Sequence, residues 1–207
     1  ISFAHLAYAS AYLKVHRAPE FYCALLNNQP MGFYSPATLV KDAKRHGVPI
    51  RPVCILRSEW DCTIGSDDSI RLGLVQVRGL RREHALRLLE ARGVRTFASL
   101  DDLKARTSLT PDALRVLAEI GALNGLARHR RAALWETERP RRTDDLFDGA
   151  RLEVGLDNEA GPLRPMNSRE RIRADDSGLG LTTGRHPMAL IRQQLTEVGR
   201  AAGLVQV

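Results

Sequence analysis

Apolar positions recur with a helical period over most of this chain. Phe3, Leu6, Ser10 and Leu13 fall on one face, with Ala4, Tyr8, Ala11 and Val15 beside it, so the spacing predicts an N-terminal helix. The stretch ISFAHLAYASAYLK has no basic n-region and no starting methionine, and it reads as the middle of a helix in a longer chain, not as a signal peptide. Pro19 can occupy the first turn of a second helix, PEFYCALLN. Ser35-Pro36 has the form of an N-cap followed by proline at N1, and Gly47 is placed to end the helix PATLVKDAKRHG.

The pattern then changes. VPIRPVCI holds two prolines among β-branched residues and predicts an extended edge or loop. EWDCTI and IRLGLVQV, separated by the turn-rich GSDDS, predict a short two-stranded hairpin. Helical spacing resumes to about Glu138, with Asp101 and Asp102 favouring a helix start after Ser99. ERPRRTDD marks a linker, and the following residues to Met166 are rich in Gly, Pro and Asp. Two more helices are expected, one from Ser168 and one after Pro187.

Charge sharpens this picture once it is divided along the chain. Residues 71–142 carry 16 Lys/Arg against 8 Asp/Glu, whereas residues 1–70 carry 7 against 6 and residues 143–207 carry 8 against 10. A net +8 in one segment favours a polyanionic partner there. No run of eighteen apolar residues exists, so no membrane span is expected. Cys23, Cys54 and Cys62 are odd in number and lack CxxC spacing, and the six histidines are scattered; reduced thiols and no metal site are expected.

The basic segment holds two related units. In the first, the chain ending at Val77 leads through Val77-Arg78-Gly79-Leu80 into a helix with Ala85, Leu88 and Leu89 inward. In the second, TPDALRVLAEIGA forms a helix with Thr110 as N-cap and Pro111 at N1, then Leu123-Asn124-Gly125-Leu126 leads into ARHRRAALWE. Both share hydrophobic-x-Gly-hydrophobic followed by a basic helix start. A bend this tight needs a residue without Cβ, and the flanking aliphatics pin it to the core. The helix beyond begins with unpaired backbone N–H groups, which can seat a phosphate oxygen. Arg78, Arg81 and Arg82 at one bend, and Arg128, Arg130 and Arg131 after the other, would add the charges that displace counterions. Such contacts hold a backbone without reading bases. The expected DNA-binding set is therefore Arg78, Gly79, Leu80, Arg81, Arg82, Asn124, Gly125, Leu126, Arg128, His129, Arg130 and Arg131.

This pattern resembles the helix-hairpin-helix family of DNA-backbone binders, in tandem, although Arg81 and Ala127 stand where that family often has a second glycine. More widely, SFAHLAYASAYLKVHRAPEFYCALLNNQPMGFYSPATLVKDAKRHGVPIRPV resembles the end of the fingers domain of the bacterial DNA polymerase III alpha subunit family, and NNQPMGFYSPATLV resembles its error-prone, damage-inducible branch. GLVQVRGLRREHALRLLEAR, LAEIGALNGLARHRRAAL and GLGLTTGRHPMALIR follow in that family's order.

The resemblance implies a mainly α fragment. Residues 1–58 would be the C-terminal part of the fingers, 59–139 a β-hairpin plus tandem helix-hairpin-helix domain, 140–166 a linker, and 167–207 a helical connection towards an OB-fold domain not included. It implies a parent that is a DNA-directed DNA polymerase in the bacterial cytoplasm, with lesion bypass and induced mutagenesis as its setting. The catalytic carboxylates and their Mg2+ would lie in an upstream palm domain, leaving this piece without catalytic residues or cofactor. Lys14 and Arg45 are candidate fingers contacts. TDDLF places Asp145, Leu146 and Phe147 where the replicative subunit carries its sliding-clamp peptide, with Thr143 replacing the usual glutamine, so clamp contact is expected to be weak or indirect. The expected partners are primer–template DNA and mutasome accessory proteins. A second expectation, of a different class, is a protein-binding scaffold module within a mutasome or replisome. Trp60 and Trp135 sit at apolar spacing and are expected to pack.

Overall fold

A computed structural model describes residues 2–139, 163–184, 186–192 and 195. Helices α1 (Ser2–His16), α2 (Ala18–Asn27) and α3 (Pro36–Arg45) open the chain. Proline lies in the first turn of α2, and Ser35 caps α3 by accepting from the Thr38 N–H. Tyr22, Cys23 and Leu26 of α2 face Leu39, Val40 and Ala43 of α3 in one core. Gly47 ends α3 at φ +78, as its position predicts.

Helix α1 differs from expectation. Its apolar face packs on nothing among the described residues: Phe3 is 87% exposed, Tyr8 71% and Val15 74%. Polar contacts tie down its C-terminal end. Lys14 donates to Asp42 Oδ2 (2.7 Å), which also accepts from the Tyr22 hydroxyl (2.6 Å). Period alone shows that a face exists, not what covers it.

Three two-residue strands follow: β1 (Ile50–Arg51), β2 (Thr63–Ile64) and β3 (Ile70–Arg71). The expected hairpin is β2–β3, antiparallel with Ile64 opposite Ile70. VPIRPVCI contributes more than a loop, because β1 pairs parallel with β3 in the order β1-β3-β2. The strand reading of GLVQV was too long: Leu74–Gln76 is a single 3-10 turn. Gly73 sets that change, since a Cβ there would collide with the backbone of Trp60 and Asp61.

The remaining described helices are α4 (Arg82–Val94), α5 (Leu100–Arg106), α6 (Pro111–Glu119), α7 (Arg130–Glu138) and α8 (Ser168–Leu179). Ser99 and Thr110 cap α5 and α6 through their hydroxyls, and Asn167 with Glu170 forms a capping box on α8. Helical backbone resumes at Pro187. Ala85, Leu88, Leu103, Leu117, Leu123 and Ala133 are fully buried in the same core as α2 and α3. At roughly 1.5–3 kcal/mol for each large aliphatic side chain, this core dominates the fold's stability. Trp60 packs at its edge, but Trp135 is 44% exposed, contrary to its apolar spacing. The cysteines are free thiols, Cys23 and Cys62 buried. The linker peptide Asp145, Leu146 and Phe147 lies outside the described residues.

The hairpin bends need one correction. Gly79 is a bend as expected, at φ +78, with Val77 and Leu80 buried on either side. Gly125 is not the bend of the second unit. That role belongs to Gly121, at φ +81, where Gly121 N–H donates to Ala118 O and Ala122 N–H to Leu117 O. This is the Schellman closure of α6. Gly125 instead lets Leu56 approach: a Cβ there would lie 2.7 Å from Leu56 Cδ1, a movable side-chain tip.

Alanine at each glycine should separate these roles. We expect Gly121→Ala to cost most, combining about 1–2 kcal/mol of left-handed strain with a clash against Arg130. Gly79→Ala, with open space around it, should cost only the strain, and Gly125→Ala less than either. Urea denaturation of the three variants checks the order, and equal costs would refute it.

Candidate nucleic-acid interface

Both bends lean on α8, which the sequence reading treated only as part of a connection towards a further domain. At the first, the Arg78 N–H donates to Gly178 O (2.8 Å) and its guanidinium to Asp176 O (3.1 Å). Arg78 thus caps the negative, C-terminal end of α8. At the second, Arg130 donates to Asp175 Oδ1 (2.6 Å) and to Glu119 O (3.0 Å). The Arg130 and Asp175 side chains are only 14% and 6% exposed. Thr182 Oγ1 satisfies the other carboxylate oxygen at 3.1 Å. Arg131 pairs with Glu170 (2.8 Å) and also reaches Arg164 O. Gly178 allows the close approach, because a Cβ there would collide with Ile120.

The two helix starts therefore differ electrostatically. Arg130 and Arg131 stand in the first turn of α7, where a cation opposes the positive end of the helix dipole. Carboxylates of α8 offset them, and His129 closes the turn by accepting from the Ala132 N–H (3.0 Å). The start of α4 has no such closure. Its N-cap, Arg81, makes no side-chain cap bond, so the first-turn N–H groups stay open. Arg81 and Arg82 are exposed beside it, with Glu83 the acidic residue of that turn. Arg82 lies over the Trp60 ring at 5.9 Å. Above Gly79 a Cβ would meet nothing within 4 Å. This end can accept an anion without displacing a protein group.

The other expected residues fall between these cases. Asn124, Gly125 and Arg128 are exposed, and Leu126 is half-buried. Leu80 is buried and can act only by holding the bend. Lys14 is engaged with Asp42, whereas Arg45 is exposed. Asp175, Glu170 and Gly178 went unnoticed in sequence because their partners lie about 40 residues or more away. Gly121 was findable: it follows the last apolar position of α6, where a C′ glycine belongs.

Residues 47–133, which hold both bends, match the helix-hairpin-helix motif. The match extends further. Over 94% of its length the chain is homologous to one segment of the error-prone DNA polymerases, the DNA polymerase III alpha type. It is 47% identical over 199 residues to the error-prone DNA polymerase of Alkalilimnicola ehrlichii and 43% over 203 residues to that of Aromatoleum aromaticum. Identity to that of Pseudomonas syringae pv. tomato is 44% over 203 residues. The chain spans about a fifth of each relative's length (19%).

Two outcomes follow from the geometry. Asp175→Ala leaves Arg130 buried without its counter-charge, so we expect a loss of about 3 kcal/mol, the range for breaking a buried pair; thermal unfolding measures it, and a neutral substitution would mean the pair is dispensable. At Asp42, donation from Lys14, then from Tyr22, holds the carboxyl below the usual carboxylate range. Its folded pKa being depressed, the linked stabilisation is present above the unfolded value, about 3.9, and disappears as pH falls through the folded one. Acid titration should therefore release the end of α1 in the parent but not in Asp42→Asn, followed by hydrogen exchange of residues 10–16.

Proposed function

We propose that this chain holds the sugar–phosphate backbone of duplex DNA, without reading its sequence, as the DNA-gripping segment of an error-prone DNA polymerase. The observation that carries the reading is the uncapped start of α4, with Arg81 and Arg82 exposed beside the Gly79 bend. Backbone N–H groups and guanidinium groups together seat a phosphate, and neither reports base identity. The names of the relatives, all error-prone DNA polymerases, supply the setting. In that setting the segment binds primer–template duplex behind the active site and serves synthesis past lesions, within the bacterial cytoplasm. Among the described residues no group of three or more His, Cys, Asp or Glu side chains could hold a metal ion, and no step here runs through one.

A second reading is favoured by one observation, the exposed apolar face of α1. It makes the chain a docking module for a protein partner, such as a mutasome subunit, and leaves the arginines incidental.

Fluorescence anisotropy with two duplexes of unrelated sequence distinguishes them. Under the DNA reading both bind alike, and affinity falls steeply from 50 to 200 mM salt, with a log–log slope of about −0.9 per phosphate engaged. Arg81→Glu with Arg82→Glu should lower affinity more than tenfold (over ~1.4 kcal/mol) at unchanged helix content. Salt-insensitive binding, or none, would overturn the proposal.

A further inference from the structure

Most arginines of the basic segment are already spent inside the protein. Arg92 pairs with Glu59, Arg106 with Asp102, Arg115 with Glu138, and Arg130 with Asp175. Among the arginines whose side chains make no hydrogen bond or ion pair with a described residue are Arg57, Arg81, Arg82 and Arg128. Arg57 lies outside both hairpin units and outside the most basic stretch of sequence, though within the residues that match the helix-hairpin-helix motif.

Its surroundings are built with care. Arg57 sits in a turn where Cys54 O accepts from Arg57 N–H (3.0 Å) and Ser58 N–H (2.7 Å). Ser58 is fully buried; its hydroxyl donates to Leu72 O (2.8 Å) and accepts from the Cys54 N–H (3.0 Å). Arg92 donates to Ile55 O (3.2 Å) and Ser58 O (2.6 Å) from below. Ile55 N–H donates to Ala122 O (3.0 Å), and Leu56 fills the space beside Gly125, which fastens the turn to the second hairpin. Leu74 N–H donates to Glu59 O and Val75 N–H to Trp60 O, which fastens it to the approach to the first. Trp60 then carries Arg82 over its ring. The turn is hydrogen-bonded to both units, and it leaves the Arg57 side chain exposed.

We propose that Arg57 is a further phosphate-contacting cation, placed on the turn of residues 54–60 so that one nucleic-acid backbone runs past Arg81 and Arg82, Arg57 and Arg128. This rests on the DNA-backbone reading above and deepens it. Because the backbone of the turn is already ordered, only the freedom of the Arg57 side chain is lost when the contact forms. A guanidinium, unlike an ammonium, can also bond a phosphate at two points.

The test uses the 207-residue chain and a duplex of arbitrary sequence, titrated at several salt concentrations. Arg57→Ala should weaken binding roughly three- to tenfold at 100 mM salt and flatten the log–log salt slope by about 0.9, with melting temperature unchanged. Arg57→Lys should restore the slope and only part of the affinity. If Arg57→Ala matches the parent in affinity and slope while Arg81→Ala and Arg82→Ala lower both, this inference fails and the DNA reading stands. Weaker binding at an unchanged slope also sinks it, since the contact would not be ionic. No duplex binding by the parent chain would sink both.

Discussion

The ion pair between Arg130 and Asp175 decides what every other cation around the two bends is free to do. Taking both charges out of water is costly, and the pair persists because its geometry is short and its remaining valences are met by Glu119 O and Thr182. It fixes α8 against α7, and the missing Cβ at Gly178 lets α8 settle on α6. Once α8 is in place, its carbonyl end receives Arg78 and its capping-box Glu170 receives Arg131. Two helix starts that look alike in sequence are thereby made unlike. One is neutralised within the protein, and the other remains electropositive and open.

The segment just beyond this helix also reaches α3. Lys44 of α3 donates to Thr183 O and Gly184 O just beyond α8, and burial lowers its pKa. The N-terminal helices are thus tied to the segment that braces both hairpin bends. The small sheet makes a second tie, since β1 pairs beside β3 and the turn after β1 reaches Ala122. Helices α2 and α3 share one core with the hairpin residues, and the packing runs across residue 58 without a break. The open start of α4 is therefore connected to α3 through backbone hydrogen bonds and α8.

Much of this was legible in the residues. Helices α2 to α8 follow from apolar spacing together with Ser35, Ser99 and Thr110 at helix starts, because capping and burial periodicity are local properties. Gly79 between Val77 and Leu80 was equally plain. Gly125 misled, since IGALNGL offers two glycines with apolar neighbours and only the end of α6 chooses between them. The exposed Trp135 and the bare face of α1 show the limit of the same logic, for a periodic face states a demand for burial without naming the surface that meets it.

By itself the chain's order of residues determined the helical class, the positions of the caps and the first bend, and the concentration of positive charge, all of which depend on neighbours within a turn or two. Only the tertiary structure decided which arginines are available. Asp175 and Glu170 meet Arg130 and Arg131 across about 40 intervening residues, and a turn near Cys54 joins hairpins that lie 20 to 70 positions further on. Pairings of that range are set by how helices pack, and packing leaves no periodic mark in sequence.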